Sequence, residues 1–139
     1  MVNLITGKNG KGKSKFLLEK VNSQVKEILG NIVYLDTSTK HMYELNNKIR
    51  LINASEYNIS SGDMFIGFLL GIISGDHDLQ ELYFDNFLSL SHTSIDELES
   101  IIDKLDNFSK TFGIEIYAAI STTDGDIPES LKDKVMEAL

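Results

Sequence analysis

Residues 7 to 14 read Gly7-Lys8-Asn9-Gly10-Lys11-Gly12-Lys13-Ser14 and satisfy the phosphate-binding spacing G-x-x-x-x-G-K-[ST] in full. Each residue type has a chemical use at its place. Glycines let consecutive backbone N–H groups turn inward around a phosphate, and the N-terminus of a following helix adds partial positive charge. The lysine reaches the β- and γ-oxygens of a polyphosphate, and the adjacent hydroxyl ligates Mg²⁺. Gly7, Lys8, Asn9, Gly10, Lys11, Gly12, Lys13, Ser14 and Lys15 are therefore the predicted phosphate contacts, with Ser14 also on the metal.

The flanking chain supplies the context the motif needs. Met1 to Thr6 is a short strand-like run, and Ser14 to Leu29 reads as an amphipathic helix with Phe16, Leu17, Val21, Ile28 and Leu29 at helical spacing. Strand, glycine-rich loop and helix in that order give the string match a structural meaning. Asn31 to Asp36 predicts a second, mostly apolar strand, as burial in a parallel sheet requires. Residues 37–48 are polar and ambiguous. Ile49 to Asn53 is a shorter strand, with an antiparallel pairing to Met42–Leu45 as one arrangement. Ser60-Ser61-Gly62-Asp63 opens a helix whose apolar stripe of Met64, Phe65, Phe68, Leu69 and Ile72 ends at Gly75. This stripe is core, with part of it open to use as an interface. Glu81 to Asp85 is an apolar strand ending in a carboxylate. Thr93 to Thr111 is a helix, started by Thr93 with Asp96 or by Ser94 with Glu97, and stopped by Gly113. Ile114 to Ile120 is the next strand, followed by Ser121 and Thr122. Pro128 suits the first turn of a terminal helix over 128–138. Strands alternating with helices predict an α/β fold with a mainly parallel sheet and helices on both faces.

The bulk numbers narrow the chemistry. A chain of 139 residues with 42% hydrophobic and 24% charged residues is expected to form one compact domain, 1–139. The net charge is −8, yet residues 1–20 hold five lysines against Glu19 alone, a balance of +4 that leaves −12 for the rest. One basic corner on an acidic body suits a polyphosphate and argues against a nucleic-acid groove. The absence of cysteine excludes disulfides, a thiol nucleophile and cysteine-based zinc sites. The apolar run at the start is interrupted by the glycine loop and has no leader pattern, and Met64 to Ile73 is too short to span a bilayer. A cytoplasmic location with no membrane contact is the expectation.

A phosphate loop needs an acidic partner to hold Mg²⁺, and Asp85 is well placed because ligands meet open parallel sheets at the strand ends. With both halves in view the chain resembles the P-loop NTPase superfamily, in its RecA/ABC/AAA-like division. The order Walker A, helix, strand, Walker B, helix, strand runs over most of the length. In that division a strand inserts between those bearing Walker A and Walker B, and its polar end senses the γ-phosphate. The resemblance implies a three-layer P-loop fold, ATP and Mg²⁺ as cofactors, Asp85 as the Walker B aspartate, and Ser121 or Thr122 as the sensor. At a finer level the chain resembles short ATP-binding P-loop proteins of Gram-positive bacteria, some labelled twitching-motility ATPases. A pilus motor ATPase is much longer and carries arginines that this chain lacks.

The resemblance implies a catalytic carboxylate that the sequence does not supply in its usual place. Many members put Glu directly after the Walker B Asp; here Asn86 follows, which hydrogen-bonds water but accepts no proton at neutral pH. RecA-like members take Glu from the end of the second strand, where this chain has Asp36. Asp36 and Asn86 are the water-positioning candidates and Lys13 the charge-stabilising one, with Glu56 more remote. Arg50 is the single arginine, read as a strand-edge charge. That count argues against a nucleoside-monophosphate kinase, which clamps two phosphate groups with several arginines. The pattern Asn-Lys-x-Asp of GTPases is missing after residue 114, so ATP is the expected nucleotide. His41, Tyr43 and Tyr57 are the side chains able to stack on a base. Asp76-His77-Asp78 has metal-ligand residue types but reads as a turn. Two functions follow: a slow ATPase, or a nucleotide-dependent switch whose loops 37–48 and 86–93 order on binding and present a surface to a protein partner or a second copy.

Overall fold

The computed structural model describes residues 1–139 except for the side chain of Asp124. Six strands form one sheet: β1 (Val2–Gly7), β2 (Asn31–Asp36), β3 (Arg50–Asn53), β4 (Leu79–Phe84), β5 (Glu115–Ser121) and β6 (Val135–Ala138). Their spatial order is β3-β2-β4-β5-β1-β6, and every named pair is parallel. The helices are α1 (Lys13–Gln24), α2 (Gly62–Ser74), α3 (Phe87–Ser91) and α4 (Leu98–Phe112).

Period-two alternation within the strands divides the core into two layers. Leu4, Val33, Leu35, Leu82, Phe84, Ile116, Ala118 and Ile120 face α2, α3 and α4. Ile5, Ile32, Tyr34, Tyr83, Tyr117 and Ala119 face α1, which contributes Leu17, Leu18 and Val21. The chain is thus an α/β three-layer structure of P-loop NTPase type, with helices on both faces of a parallel sheet. β5 lies between β1 and β4, the insertion expected for the RecA-like division.

The apolar stripe of α2 is core. Phe65 and Leu69 are fully buried, and Phe65 sets its ring edge-on to Phe84 and Phe87, with centroids 5.5 and 5.8 Å away. On the opposite face Tyr34, Tyr83 and Tyr117 occupy matched register positions across β2, β4 and β5 and stack in series, with centroids 6.1 and 4.6 Å apart. Tyr34 turns this ladder toward the phosphate loop, since its hydroxyl meets Asp85.

Several local expectations are corrected. α1 stops at Gln24, five residues early. The chain then turns so that Gly30 can pass Asp78 and Gln80, where an added Cβ would lie 2.3 Å from the Asp78 carbonyl. Leu29, counted in the helical stripe, is fully exposed. β3 pairs parallel with β2, and Met42–Glu44 is a 3₁₀ turn, so no antiparallel hairpin forms there among the described residues. The start of α4 is settled for Ser94, whose N–H and hydroxyl both donate to Glu97 Oε1 at 3.1 Å, after which a 3₁₀ turn leads into the helix. The expected terminal helix over 128–138 is a 3₁₀ segment, Glu129–Lys134, followed by β6. β1 would otherwise leave a row of backbone groups unpaired at the sheet edge, and β6 satisfies them, with Leu139 N–H continuing the pairing to the Thr6 carbonyl at 2.8 Å. Asp76 accepts from Asn31 Nδ2 and from the Asp78 N–H, the turn that the sequence suggested for Asp76-His77-Asp78.

Candidate nucleotide-binding site

The site lies at the carboxyl ends of the parallel strands. The loop between β1 and α1 needs two left-handed residues, and Gly10 (φ +83°) and Gly12 (φ +93°) provide them. A Cβ at either would meet nothing within 4 Å, so the requirement is for the backbone angle and not for room. Lys13 then begins α1. Its side chain is only 8% exposed and crosses back over the loop to donate to the Lys8 carbonyl at 3.0 Å. Burial holds its pKa below the ordinary lysine value, opposed by the nearby Asp85 carboxylate. An ammonium carries three donors, and among the described residues Lys13 makes no ion pair. One of those donors is used, on the Lys8 carbonyl.

Ser14 follows on the first helical turn and donates to Asp85 Oδ1 at 3.0 Å, a contact between residues far apart in sequence. The other oxygen of Asp85, Oδ2, accepts the Tyr34 hydroxyl at 2.8 Å. Burial and that hydrogen-bonded carboxylate push the Tyr34 phenol far above its ordinary pKa, so it stays a donor. Asp85 sits just past β4 and is 5% exposed.

Asp36 ends β2, the neighbour of β4, and is 2% exposed. Its Oδ1 accepts the Thr37 N–H at 2.6 Å, while Oδ2 has no partner. Burial first, and then the Asp85 charge, hold its pKa above the usual carboxylate value. Two carboxylates are thus buried side by side at the rim of the glycine-rich loop. From β5, Ser121 donates to Asn9 Oδ1 at 3.0 Å and ties that strand end to the loop. Thr122, the other sensor candidate, forms an isolated bridge to Gly7.

The glycine-rich loop, Lys13, Ser14, Asp36, Asp85 and Ser121 line one cavity of about 700 Å³ together with Asn86, Ser89, Lys40 and His41, and Thr122 lies outside it. The predicted residues Asn9, Gly10, Gly12, Lys13, Ser14, Asp36, Asp85, Asn86 and Ser121 all border it. Gly7 lies beneath as the buried end of β1, and Lys8 contributes its carbonyl. Lys11 is exposed, and Lys15 borders a neighbouring groove with Glu19, Asn22 and Glu44. Asn86 adopts a left-handed backbone (φ +57°) at the start of α3. Asn tolerates that region far better than Glu does, so the geometry of this turn gives its own reason for Asn after Asp85. Arg50 is exposed on edge strand β3, away from the cavity. Tyr43 is exposed, and Tyr57 packs on Phe68.

Lys40 and Ser89 border the cavity without having been singled out from the sequence, and His41, named there only as able to stack on a base, borders it too. The polar segment after β2 carries no periodicity that would orient Lys40 or His41. The available signal was the position of His41, five residues beyond a strand-end carboxylate.

Among the described residues no helix is long and apolar enough to cross a membrane. No family model matches the chain, and no curated protein matches it. Among solved structures, the flagellar accessory protein FlaH from Methanocaldococcus jannaschii superposes over 93% of this chain with a TM-score of 0.56 and 14% identity. This chain spans 63% of the length of that one. At that identity the likeness extends to the fold, in agreement with the parallel three-layer architecture described above.

Proposed function

We propose that this protein binds ATP in a Mg²⁺-dependent manner and hydrolyses it slowly. The observation that carries the reading is the 3.0 Å hydrogen bond from Ser14 to Asp85 beside the buried Lys13. It joins the hydroxyl and carboxylate of a magnesium site at the mouth of a glycine-rich loop. Both are hard oxygen donors, and Mg²⁺ is commonly held by one or two protein oxygens, with phosphates and water completing its shell. When bound, Mg²⁺ would neutralise charge on the phosphate oxygens. Gly10 and Gly12 let the loop N–H groups surround the phosphates, Lys13 meets the terminal oxygens, and Ser121 with Asn9 lines the γ-phosphate end. Asp36 is the residue assigned to orient the attacking water, because its free Oδ2 is buried beside Asp85.

A second reading, a switch that binds nucleotide without turning it over, is favoured by Asn86. That side chain cannot serve as a base, and its backbone angle disfavours the Glu that would.

Phosphate release by the wild type, Lys13→Ala and Asp36→Asn tests both readings. The first expects slow release in the wild type, background in Lys13→Ala, and reduced turnover at retained ATP affinity in Asp36→Asn. Equal release by the wild type and Lys13→Ala would sink it. Labelled ATP that is held tightly and recovered intact after long incubation would select the switch.

A further inference from the structure

We propose that the rim of the cavity is a second cation site, formed by Asp36, His41 and Asp85, for a first-row transition divalent ion such as Mn²⁺. Four observations lead there. One ligand atom from each of the three residues lies within 4.8 Å of the other two. Asp36 is almost completely buried, yet its Oδ2 has no hydrogen-bond partner. The buried His41 Nε2 is also without one. The opposite ring nitrogen, Nδ1, sits 3.1 Å from Glu44 Oε2.

The last contact gives the others their meaning. Glu44 can only accept, so a neutral His41 places its proton on Nδ1 and its lone pair on Nε2. A ring nitrogen with an unused lone pair, held from behind by a carboxylate, is the arrangement of histidines that ligate metals. Asp36 Oδ2 and His41 Nε2 are both buried without a partner, beside the Asp85 carboxylate of the same cluster. A cation with bonds of about 2.0–2.2 Å is the group that satisfies them together, after small side-chain rotations. One imidazole and two carboxylates suit Mn²⁺, Co²⁺ or Zn²⁺ better than Mg²⁺, which prefers an all-oxygen shell.

The site differs from the Ser14–Asp85 pair in its ligands and in needing no nucleotide. Asp85 and the Asp36 Oδ2 are shared with the nucleotide reading, so the cation belongs to the nucleotide-free protein, and His41 is the ligand that only this site uses. The two assignments therefore fail separately.

The test is Mn²⁺ titration of the nucleotide-free protein, followed by loss of the free-ion electron paramagnetic resonance signal, with electron spin echo modulation reading nitrogen bound to the metal. The wild type should bind one Mn²⁺ per chain with a nitrogen coupling. His41→Leu, which leaves the core untouched, should lose the coupling and bind at least tenfold more weakly. Lys13→Ala should keep both while losing nucleotide. Asp36→Asn, checked for folding by circular dichroism, should also bind more weakly. Equal binding by wild type and His41→Leu, absence of a nitrogen coupling, or Mn²⁺ binding only when ATP is added would overturn the proposal.

Discussion

Single residues carry the site in ways that can be separated by substitution. Tyr34 is buried and its one polar atom is spent on Asp85. Tyr34→Phe keeps the ring stack and removes that donor, so urea unfolding should show a loss of about 1–2 kcal/mol with an unchanged m-value. The same variant should weaken Mg²⁺-dependent ATP binding, because Asp85 loses the contact that orients it. Asn86 offers a contrasting case. Its left-handed backbone accepts Gly at little cost, so Asn86→Gly should stay within about 0.5 kcal/mol of the wild type, while Asn86→Glu should lose about 1 kcal/mol from backbone strain. Equal stability of the two variants would show that the turn does not select the residue. At this scale the sequence was most legible where a motif fixes spacing. The loop, Lys13, Ser14 and the strand-end Asp85 all border one cavity. It was least legible for His41, whose approach to Asp36 depends on how a polar segment folds back over the strand ends.

The elements position those residues through packing that the sequence announced unevenly. α2 anchors one face through Phe65, wedged between Phe84 on β4 and Phe87 on α3. Phe65→Ala should cost about 3–5 kcal/mol by cavity formation, measured by chemical denaturation. α4 is linked to the terminal segment by Asp106, which pairs with Lys110 at 3.0 Å and Lys134 at 3.4 Å. The Lys110 hydrogen bond is the main reason its carboxyl titrates below the ordinary aspartate value, with Lys134 adding to the effect. Its contribution is therefore complete above about pH 4 and disappears as the pH falls through the lower, folded-state pKa. Asp106→Asn should lower the melting temperature by a few degrees at pH 7, for a contribution of about 0.5–1 kcal/mol, and should match the wild type near pH 2. A difference that persists at pH 2 would assign the effect to packing. Long periodic helices such as α4 could be read from the sequence because one face repeats over four turns. β6 could not, since Val135-Met136-Glu137-Ala138 is too short to show a period and becomes a strand only because β1 has an open edge beside it. α3, at five residues, is hidden for the same reason.

At the scale of the whole molecule the strand order gathers the candidate site residues at one end of the sheet. Placing β5 between β1 and β4 brings Ser121 to the glycine-rich loop, while adjacency of β2 and β4 brings Asp36 to Asp85. Alternation of strands and helices made the α/β class legible, but pairing order depends on contacts between distant segments, and of that order only the place of β5 between β1 and β4 was an expectation. The charge distribution agrees with the architecture: the lysine-rich segment forms the corner to which a polyphosphate would come, on an otherwise acidic body. Nucleotide binding at the loop is tested by thermal unfolding with ATP, ADP, GTP or no nucleotide, each with and without Mg²⁺, on the wild type and Lys13→Ala. Ligand at about 100 times its dissociation constant stabilises the native state by about 2.7 kcal/mol, roughly 5–10 °C for a chain of this size. If the loop and Lys13 hold nucleotide, ATP gives a Mg²⁺-dependent rise of that order that vanishes in Lys13→Ala. No rise with any nucleotide, or an equal rise in Lys13→Ala, would contradict that reading.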